Sequence, residues 1–181
     1  MIEQAQIDEG PQHQPAVTRW GLAAYAVAVA VVVLDQLSKW WVLNVIHLPD
    51  HSPIRILPVF QLTMVWNTGV SFGLLRADAG AGRWLLVLFA LAIVIALGVW
   101  ARRVTRPLAA VALGLILGGA LGNNLIDRVR FGAVADFLDF HGLFFPWVFN
   151  IADSGISIGV VLLLLDSFMN SKKVESAPSA T

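Results

Sequence analysis

The sequence contains no cysteine and few charged residues. Without cysteine among its 181 residues, the chain has no disulfides, no thiol nucleophile and no thiolate metal site. Charged residues make up only 13%, whereas a soluble domain carries about a quarter. The 12 basic residues balance the 12 acidic ones, so the chain lacks the positive field that nucleic-acid binding requires. A nucleic-acid partner is therefore not expected.

Several motifs of familiar enzyme classes are also missing. There is no HExxH sequence, and Pro49 separates His47 from His51, which disfavours a zinc peptidase. Ser154 and Ser157 have no neighbouring histidine, and no GxSxG motif is present, which disfavours a serine nucleophile. A glycine-rich phosphate loop is absent. The sequence thus predicts neither a metal ion nor a cofactor.

Long hydrophobic runs dominate what is present. Hydrophobic residues make up 57%, and the mean hydropathy is +0.74. Trp84–Ala101 is an uncharged run of 18 residues and Pro107–Ile126 one of 20, each long enough to cross about 30 Å of hydrocarbon as a helix. Two further apolar runs are interrupted by only a few charges. We therefore predict four transmembrane helices, at about 20–43, 83–101, 107–127 and 147–169.

The basic residues indicate the orientation of these helices. Short loops rich in lysine and arginine remain in the cytoplasm. Such residues precede helix 1, separate helices 2 and 3, and follow helix 4: Arg19, then Arg102, Arg103 and Arg106, then Lys172 and Lys173. Both termini are therefore predicted to be cytoplasmic, with loops 44–82 and 128–146 outside.

The predicted domain organisation is one membrane domain, residues 19–170, between two disordered cytoplasmic tails, 1–18 and 171–181. The outer segment Ile54–Trp66 is rich in β-forming residues and predicts one or two strands in a small sheet on the membrane surface. Loop 128–146 is interpreted as an irregular interfacial segment with aromatic anchors. The fold class is thus an all-α membrane protein with a small β-containing outer part.

Polar residues at membrane depth gather at one level in this topology, near the outer surface. Ionisable groups there are costly and usually mark function or a paired interior network. The residues are Asp35, Lys39, Asn67, Asn123, Asn124, Asp127, Arg128, Asp136, Asp139, Asn150 and Asp153.

Two of these groups favour a structural role. Asp35 and Lys39 are four residues apart on one helix, so an intrahelical ion pair is favoured over catalysis. Asn124, Asp127 and Arg128 share a face of helix 3, where Arg128 could hold a carboxylate as a brace. The sequence leaves open whether Asn123 or Asn124 has the supporting role on this helix.

Asp153 has no base or cation beside it in the sequence, so its partner must come from elsewhere in space. Asp136 and Asp139 are the available carboxylates. Two carboxylates that share a site share one proton, which is the chemistry of an aspartic protease. A carboxylate bound to Arg128 or Lys39 is an equally good interpretation of the spacing.

Five segments, in order, resemble the signature blocks of the lipoprotein signal peptidase (signal peptidase II) family. They extend from helix 1 through helix 4. The segments are Asp35–Lys39, Asn67–Gly73, Gly118–Arg128, Val134–Phe137 and Phe149–Asp153.

The resemblance implies an aspartyl peptidase of the bacterial inner membrane with four helices, an outer β-cradle and its active site near the periplasmic face. Its substrate would be a prolipoprotein whose cysteine carries diacylglycerol, cleaved just before that cysteine, with membrane lipids around it. Position by position, the catalytic pair falls on Asp136 and Asp153. The supporting polar residues fall on Asn67, Asn124, Arg128 and Asn150, and the structural ones on Asp35, Lys39 and Asp127.

The alternative function is a small membrane transporter or proton channel, which would also place carboxylates at membrane depth. However, the polar residues lie at the outer surface, and the inner half of each helix is interpreted as apolar. No inverted repeat is visible. The sequence therefore favours the peptidase.

Overall fold

The computed structural model describes residues 16–69, 81–143 and 145–175. Within these ranges four helical stretches are long and apolar enough to cross a membrane, which confirms the predicted membrane architecture. The stretches are Arg19–Asn44, Gly82–Arg102, Pro107–Phe131 and Ile151–Ser171. The helices are α1 (Arg19–Asn44), α2 (Leu48–His51), α3 (Ala81–Arg102), α4 (Pro107–Ala120), α5 (Arg128–Phe131) and α6 (Ile151–Glu175).

Local chemistry defines the helix ends. The hydroxyl of Thr18 accepts a hydrogen bond from the Gly21 backbone and caps α1. Pro107 occupies the first turn of α4, where its missing N–H has no helical partner in any case. Gly132, with a φ of 81°, ends α5 in the left-handed conformation that glycine tolerates best.

The third span is the centre of the bundle. It consists of α4, a π-helical segment at Leu121–Asp127, and α5. In an apolar stretch of 18 residues of this span, 61% of the residues are buried inside the protein, against 22–28% in such stretches of the other three spans. A Cβ atom at Gly118 would lie 2.6 Å from the carbonyl oxygen of Ala28 in α1. The glycine at this position of α4 therefore allows the backbones of α1 and α4 to approach closely.

A four-stranded antiparallel sheet covers one end of the bundle, in the order β1 (Ile54–Leu57), β2 (Phe60–Asn67), β3 (Val134–Asp139), β4 (Val148–Phe149). Val42, Leu48, Leu62 and Phe137 form a buried cluster between the sheet and the end of α1. The strands predicted in 54–66 are thus confirmed. The opposite end of the bundle has Arg102 hydrogen-bonded to the Ala16 carbonyl beside the start of α1.

The interpretation of loop 128–146 as irregular is wrong, because β3 lies within it. Five of the six residues of β3 are buried. A strand that is buried on both faces lacks the alternation of polar and apolar residues that identifies a strand in the sequence.

The start of the fourth helix also differs from the prediction. Val148 and Phe149 pair with β3, so α6 begins at Ile151 instead of residue 147. Asn150 therefore precedes the helix instead of lying in its first turn. At the other end, α6 continues to Glu175, and the predicted tails 1–18 and 171–181 lie largely outside the described residues.

The expectation of an apolar inner half in every helix is wrong at one position. Asp166 in α6 is 6% exposed and forms an ion pair with Arg106, with 2.6 Å between Oδ2 and Nη2. The pair lies at the end of the bundle opposite the sheet. Because its partner is an arginine at the start of α4, the buried carboxylate is neutralised within the protein.

Candidate active site

Strand β3 directs its two carboxylates in opposite directions. Asp136 and Asp139 are three residues apart, and side chains alternate between the two faces of a strand. Asp136 lies opposite Val65 of β2, whereas Asp139 lies opposite Gln61. The sequence spacing left both as candidate partners of Asp153, and the strand geometry separates them.

Asp136 is 3% exposed and is surrounded by amide donors. Asn150 Nδ2 donates to Oδ1 at 2.7 Å, and Asn67 Nδ2 donates to Oδ2 at 3.3 Å. Burial, reinforced by the nearby carboxylate of Asp153, raises the pKa of Asp136 to about 7. At neutral pH this carboxyl group therefore readily carries a proton.

Asp153 is fixed at the start of α6 by a reciprocal capping interaction. The backbone N–H of Asp153 donates to Asn150 Oδ1 at 3.0 Å, and the backbone N–H of Asn150 donates to Asp153 Oδ2 at 3.1 Å. The other carboxylate oxygen accepts a 2.7 Å hydrogen bond from Asn123 Nδ2. Asn150 therefore contacts both Asp136 and Asp153 and ties them into one site.

A buried ionic network lies behind the pair. Lys39, 1% exposed, places Nζ 2.8 Å from Asp35 Oδ2 and 2.6 Å from Asp127 Oδ2. Asp35 also accepts from the Ala152 backbone at 3.1 Å, and Asp127 accepts from the Ala135 backbone at 3.2 Å. The acceptor carboxylates thus connect α1 and the third span to the residues preceding Asp153 and Asp136.

Arg128 contacts a different set of groups from the carboxylate that the sequence suggested. Its guanidinium donates to Asn124 Oδ1 at 3.3 Å and to the carbonyl oxygens of Thr68 and Gly69 at 3.4 and 3.3 Å. Among the ion pairs of the described residues, Asp127 belongs to Lys39 and none involves Arg128. Arg128 therefore holds the chain that follows Asn67 against the third span.

Asp139 belongs to a separate network on β2. Thr63 Oγ1 and Gln61 Nε2 donate to its Oδ2 at 2.6 and 2.7 Å, and the His141 backbone donates to Oδ1 at 2.9 Å. Burial opposes the ionised form of Asp139, but the hydrogen bonds from Thr63, Gln61 and His141 hold its pKa below the usual value. Asp139 is thus a structural anion.

A cavity of about 270 Å³ opens beside Asp153, between α3 and the third span. One wall is apolar and comes from α3: Leu86, Phe89, Ala90 and Ile93. The other wall carries the polar groups: Asn67, Asn123, Asn124, Arg128 and Asp153. The cavity therefore suits a ligand whose apolar part packs against α3 while a polar backbone group binds at the opposite wall.

His47 and His51 do not join this site. His51 Nδ1 lies 3.0 Å from the carbonyl oxygen of His47, and both side chains are exposed. Within residues 16–69, 81–143 and 145–175, no group of three or more histidine or acidic side chains is arranged to hold a metal ion.

Sequence reasoning missed some of the residues that build the site. Gln36 donates to both Asp35 and Asp127, and nothing in its sequence position announced that role. Asn123 was recognised only as an ambiguity with Asn124. In the structure Asn123 contacts Lys39 and Asp153, while Asn124 contacts Arg128.

Comparison with known proteins agrees with this architecture. The family model described as signal peptidase (SPase) II matches residues 27–169. A lipoprotein signal peptidase of Caulobacter vibrioides is 57% identical over 157 residues, which cover 87% of this chain and 93% of that protein. A lipoprotein signal peptidase of Beijerinckia indica is 44% identical over 161 residues, which cover 88% and 93%.

Solved structures show the same fold. A bacterial membrane enzyme aligns with a TM-score of 0.72 and 26% identity, and the alignment covers 93% of this chain and all 100% of the other. A second bacterial membrane enzyme aligns with a TM-score of 0.67 and 28% identity over 85% of this chain and 97% of the other.

Proposed function

The chain belongs to the signal peptidase II family, and we propose that it is an aspartic endopeptidase acting through Asp136 and Asp153. Family membership makes it a multi-pass membrane protease that processes the signal peptides of prolipoproteins, and not a transporter or proton channel. The proposed substrate carries a diacylglyceryl cysteine, and the proposed cut is immediately before that cysteine. Membrane lipids surround the enzyme.

The observation that carries this proposal is the hydrogen bonding of Asn150 to both carboxylates. Asn150 Nδ2 donates to Asp136, and its backbone N–H donates to Asp153. Each carboxylate thus has a fixed orientation, and their mutual repulsion favours a state with one proton between them.

The proposed roles follow from the surroundings of each group. Asp136 carries the proton, in keeping with its raised pKa of about 7. Asp153 is then the ionised base, because the pair holds one proton and Asp136 carries it, and the Asn123 amide and the Asn150 backbone N–H donate to the two oxygens of Asp153. Each group then has one task in proton transfer.

In the proposed reaction, water attacks the scissile carbonyl carbon while Asp153 takes one of its protons. Asp136 first donates a hydrogen bond to the carbonyl oxygen and then gives its proton to the leaving amine as the C–N bond breaks. Asn67, Asn124, Arg128 and Asn150 are proposed as the supporting polar residues. The apolar wall from α3 would contact the lipid-soluble part of the substrate.

The proposed location is the bacterial inner membrane, with cytoplasmic termini and the site near the periplasmic face. The span ends opposite the sheet carry four arginines in or beside them: Arg19, Arg102, Arg103 and Arg106. The positive-inside rule assigns that end to the cytoplasm.

The test is cleavage of a purified diacylglyceryl precursor by the purified protein in lipid or detergent. We expect a product whose first residue is the lipidated cysteine, identified by mass spectrometry, and no product from the same precursor without lipid. Equal cleavage of the unlipidated precursor would contradict the proposed substrate class.

A further inference from the structure

The π-helical segment of the third span separates the tasks of two adjacent amides. Over Leu121–Asp127 the backbone bonds reach five residues back, as from the N–H of Arg128 to the carbonyl of Asn123. A π turn contains one residue more than the α turn it replaces, and such turns are frequent at functional sites. Here Asn123 is 3% exposed and faces the interior, while Asn124 is half-buried and contacts Arg128.

Asn123 lies between a cation and a carboxylate. Lys39 Nζ donates to its Oδ1 at 2.7 Å, and its Nδ2 donates to Asp153 Oδ1 at 2.7 Å. A lysine ammonium has only donors, so the amide oxygen must face Lys39 and the NH₂ group must face Asp153. The amide orientation is therefore fixed by chemistry, and Asp153 is presented with a donor, which favours its ionised form.

We propose that Asn123 is a positioning residue that couples Lys39 to Asp153 and so determines which carboxyl group of the proposed pair acts as the base. This inference rests on the proposed function of the site. Asn123 touches no reacting atom in this account. It acts through Asp153 by holding one oxygen of that carboxylate as an acceptor.

The coupling operates in a field set by the surrounding charges. The charged groups near Asp153 include Asp136 on β3 and both Asp35 and Lys39 on α1. Arg128 of the third span lines the same cavity, and Asp127 is ion-paired with Lys39. Asp35 and Asp127 already bind the ammonium group of Lys39. Among the described side chains, Asn123 is therefore the one that links Lys39 to Asp153.

The test is the pH profile of kcat/KM for Asn123→Asp. Aspartate is nearly isosteric with asparagine and keeps an acceptor for Lys39, so the variant retains the packing. It replaces the donor to Asp153 with a second carboxyl group. We expect the acidic limb of the profile to move upward by more than about one pH unit, with a thermal unfolding temperature near that of the wild type.

Asn123→Ser provides a second variant in case the first does not fold. The serine hydroxyl is too short to reach from Lys39 to Asp153, and it adds no charge. We expect an upward shift of the acidic limb by about one pH unit, smaller than for Asn123→Asp. If Asn123 had only a packing role, Asn123→Ser would have the larger effect, because serine leaves a gap whereas the nearly isosteric aspartate does not.

Asn44→Asp is the matched control. Asn44 is exposed at the end of α1 and donates to the Trp40 carbonyl, so the variant adds the same charge away from Asp153. Its profile should match the wild type.

An unchanged acidic limb in folded, active Asn123→Asp or Asn123→Ser overturns the inference, provided that the wild type cleaves and Asp153→Asn does not. A wild-type protein that fails to cleave a lipidated precursor overturns the proposed function instead.

Discussion

Asn150 and Asp153 hydrogen-bond each other twice at the start of α6, each backbone N–H donating to the side chain of the other residue. The interaction caps the helix and fixes one carboxylate of the proposed pair. The side-chain Nδ2 of Asn150, which the cap does not use, donates to Asp136 Oδ1 at 2.7 Å. One side chain thus serves the helix terminus and the site together.

Replacing Asn150 separates these two tasks. Asn150→Ser keeps an N-cap acceptor but does not reach Asp136, so we expect kcat to fall about 10- to 100-fold with little loss of stability. Asn150→Ala also removes the cap, which costs about 1 kcal/mol, or roughly 2–4 °C in unfolding temperature. Steady-state cleavage and thermal unfolding of both variants measure this. Equal kcat for Asn150→Ser and the wild type would contradict the role.

The pH dependence of cleavage follows from the raised pKa of Asp136. As the proposed acid, Asp136 must be protonated, so activity should fall as the pH rises through about 7. Protonation of Asp153 should end activity on the acidic side, giving a bell-shaped profile whose two pKa values belong to the pair. EDTA should leave the rate unchanged. Loss of activity with a chelator, restored by zinc, would contradict the aspartic mechanism.

Stability should respond to pH through the same group. Because folding raises the pKa of Asp136 from 3.8 to about 7, the folded state binds more protons than the unfolded state between these values. The contribution of Asp136 to stability is therefore largest below pH 4 and is lost as the pH rises to 7. We expect Asp136→Asn to unfold at a higher temperature than the wild type at pH 8, and to show a smaller advantage at pH 5.

The ionic network predicts a graded loss of stability. Lys39→Met leaves Asp35 and Asp127 buried without their cation, a change that costs about 3–5 kcal/mol, or roughly 10 °C in unfolding temperature. Asp35→Asn or Asp127→Asn leaves Lys39 with one carboxylate, so each should cost less. Arg55→Gln, at an exposed strand position, is the control and should change little. An unchanged unfolding temperature in Lys39→Met would contradict the structural role.

Single cysteines in this cysteine-free chain test the orientation. Arg55 and Arg103 are both exposed, at opposite ends of the bundle. An outside-only thiol reagent applied to intact cells should label Arg55→Cys and leave Arg103→Cys unlabelled. The reverse pattern would place the sheet and the site in the cytoplasm.

The sequence predicted the four spans because uncharged runs are a local signal that the bilayer imposes directly. It did not predict β3, since a strand buried on both faces shows no alternation. Asp136 and Asp139 were inseparable by spacing until the strand was known, because only its alternation assigns them to opposite faces.

The remaining site contacts depend on distant parts of the chain. Lys39 and Asp127 are in different helices, and their ion pair exists because glycines such as Gly118 bring α1 and α4 together. Asn123 acquired its partners through a π turn that no sequence pattern announced. Sequence identified the residues available to the site, whereas packing decided their partners.

The central claim is that Asp136 and Asp153 form the catalytic pair, and single-turnover cleavage of a lipidated precursor tests it most directly. Asparagine is nearly isosteric with aspartate but cannot cycle a proton. We expect Asp136→Asn and Asp153→Asn to lose about 10³-fold or more in rate while remaining folded and able to bind substrate.

Asp139→Asn is the matched control on the same strand, directed at Thr63 and Gln61 instead of Asn150. It should retain substantial activity. We expect Asp136→Asn and Asp153→Asn to be inactive and Asp139→Asn to cleave. Cleavage by Asp136→Asn at near the wild-type rate would contradict it, and Asp139 with Asp153 would then be the pair to examine.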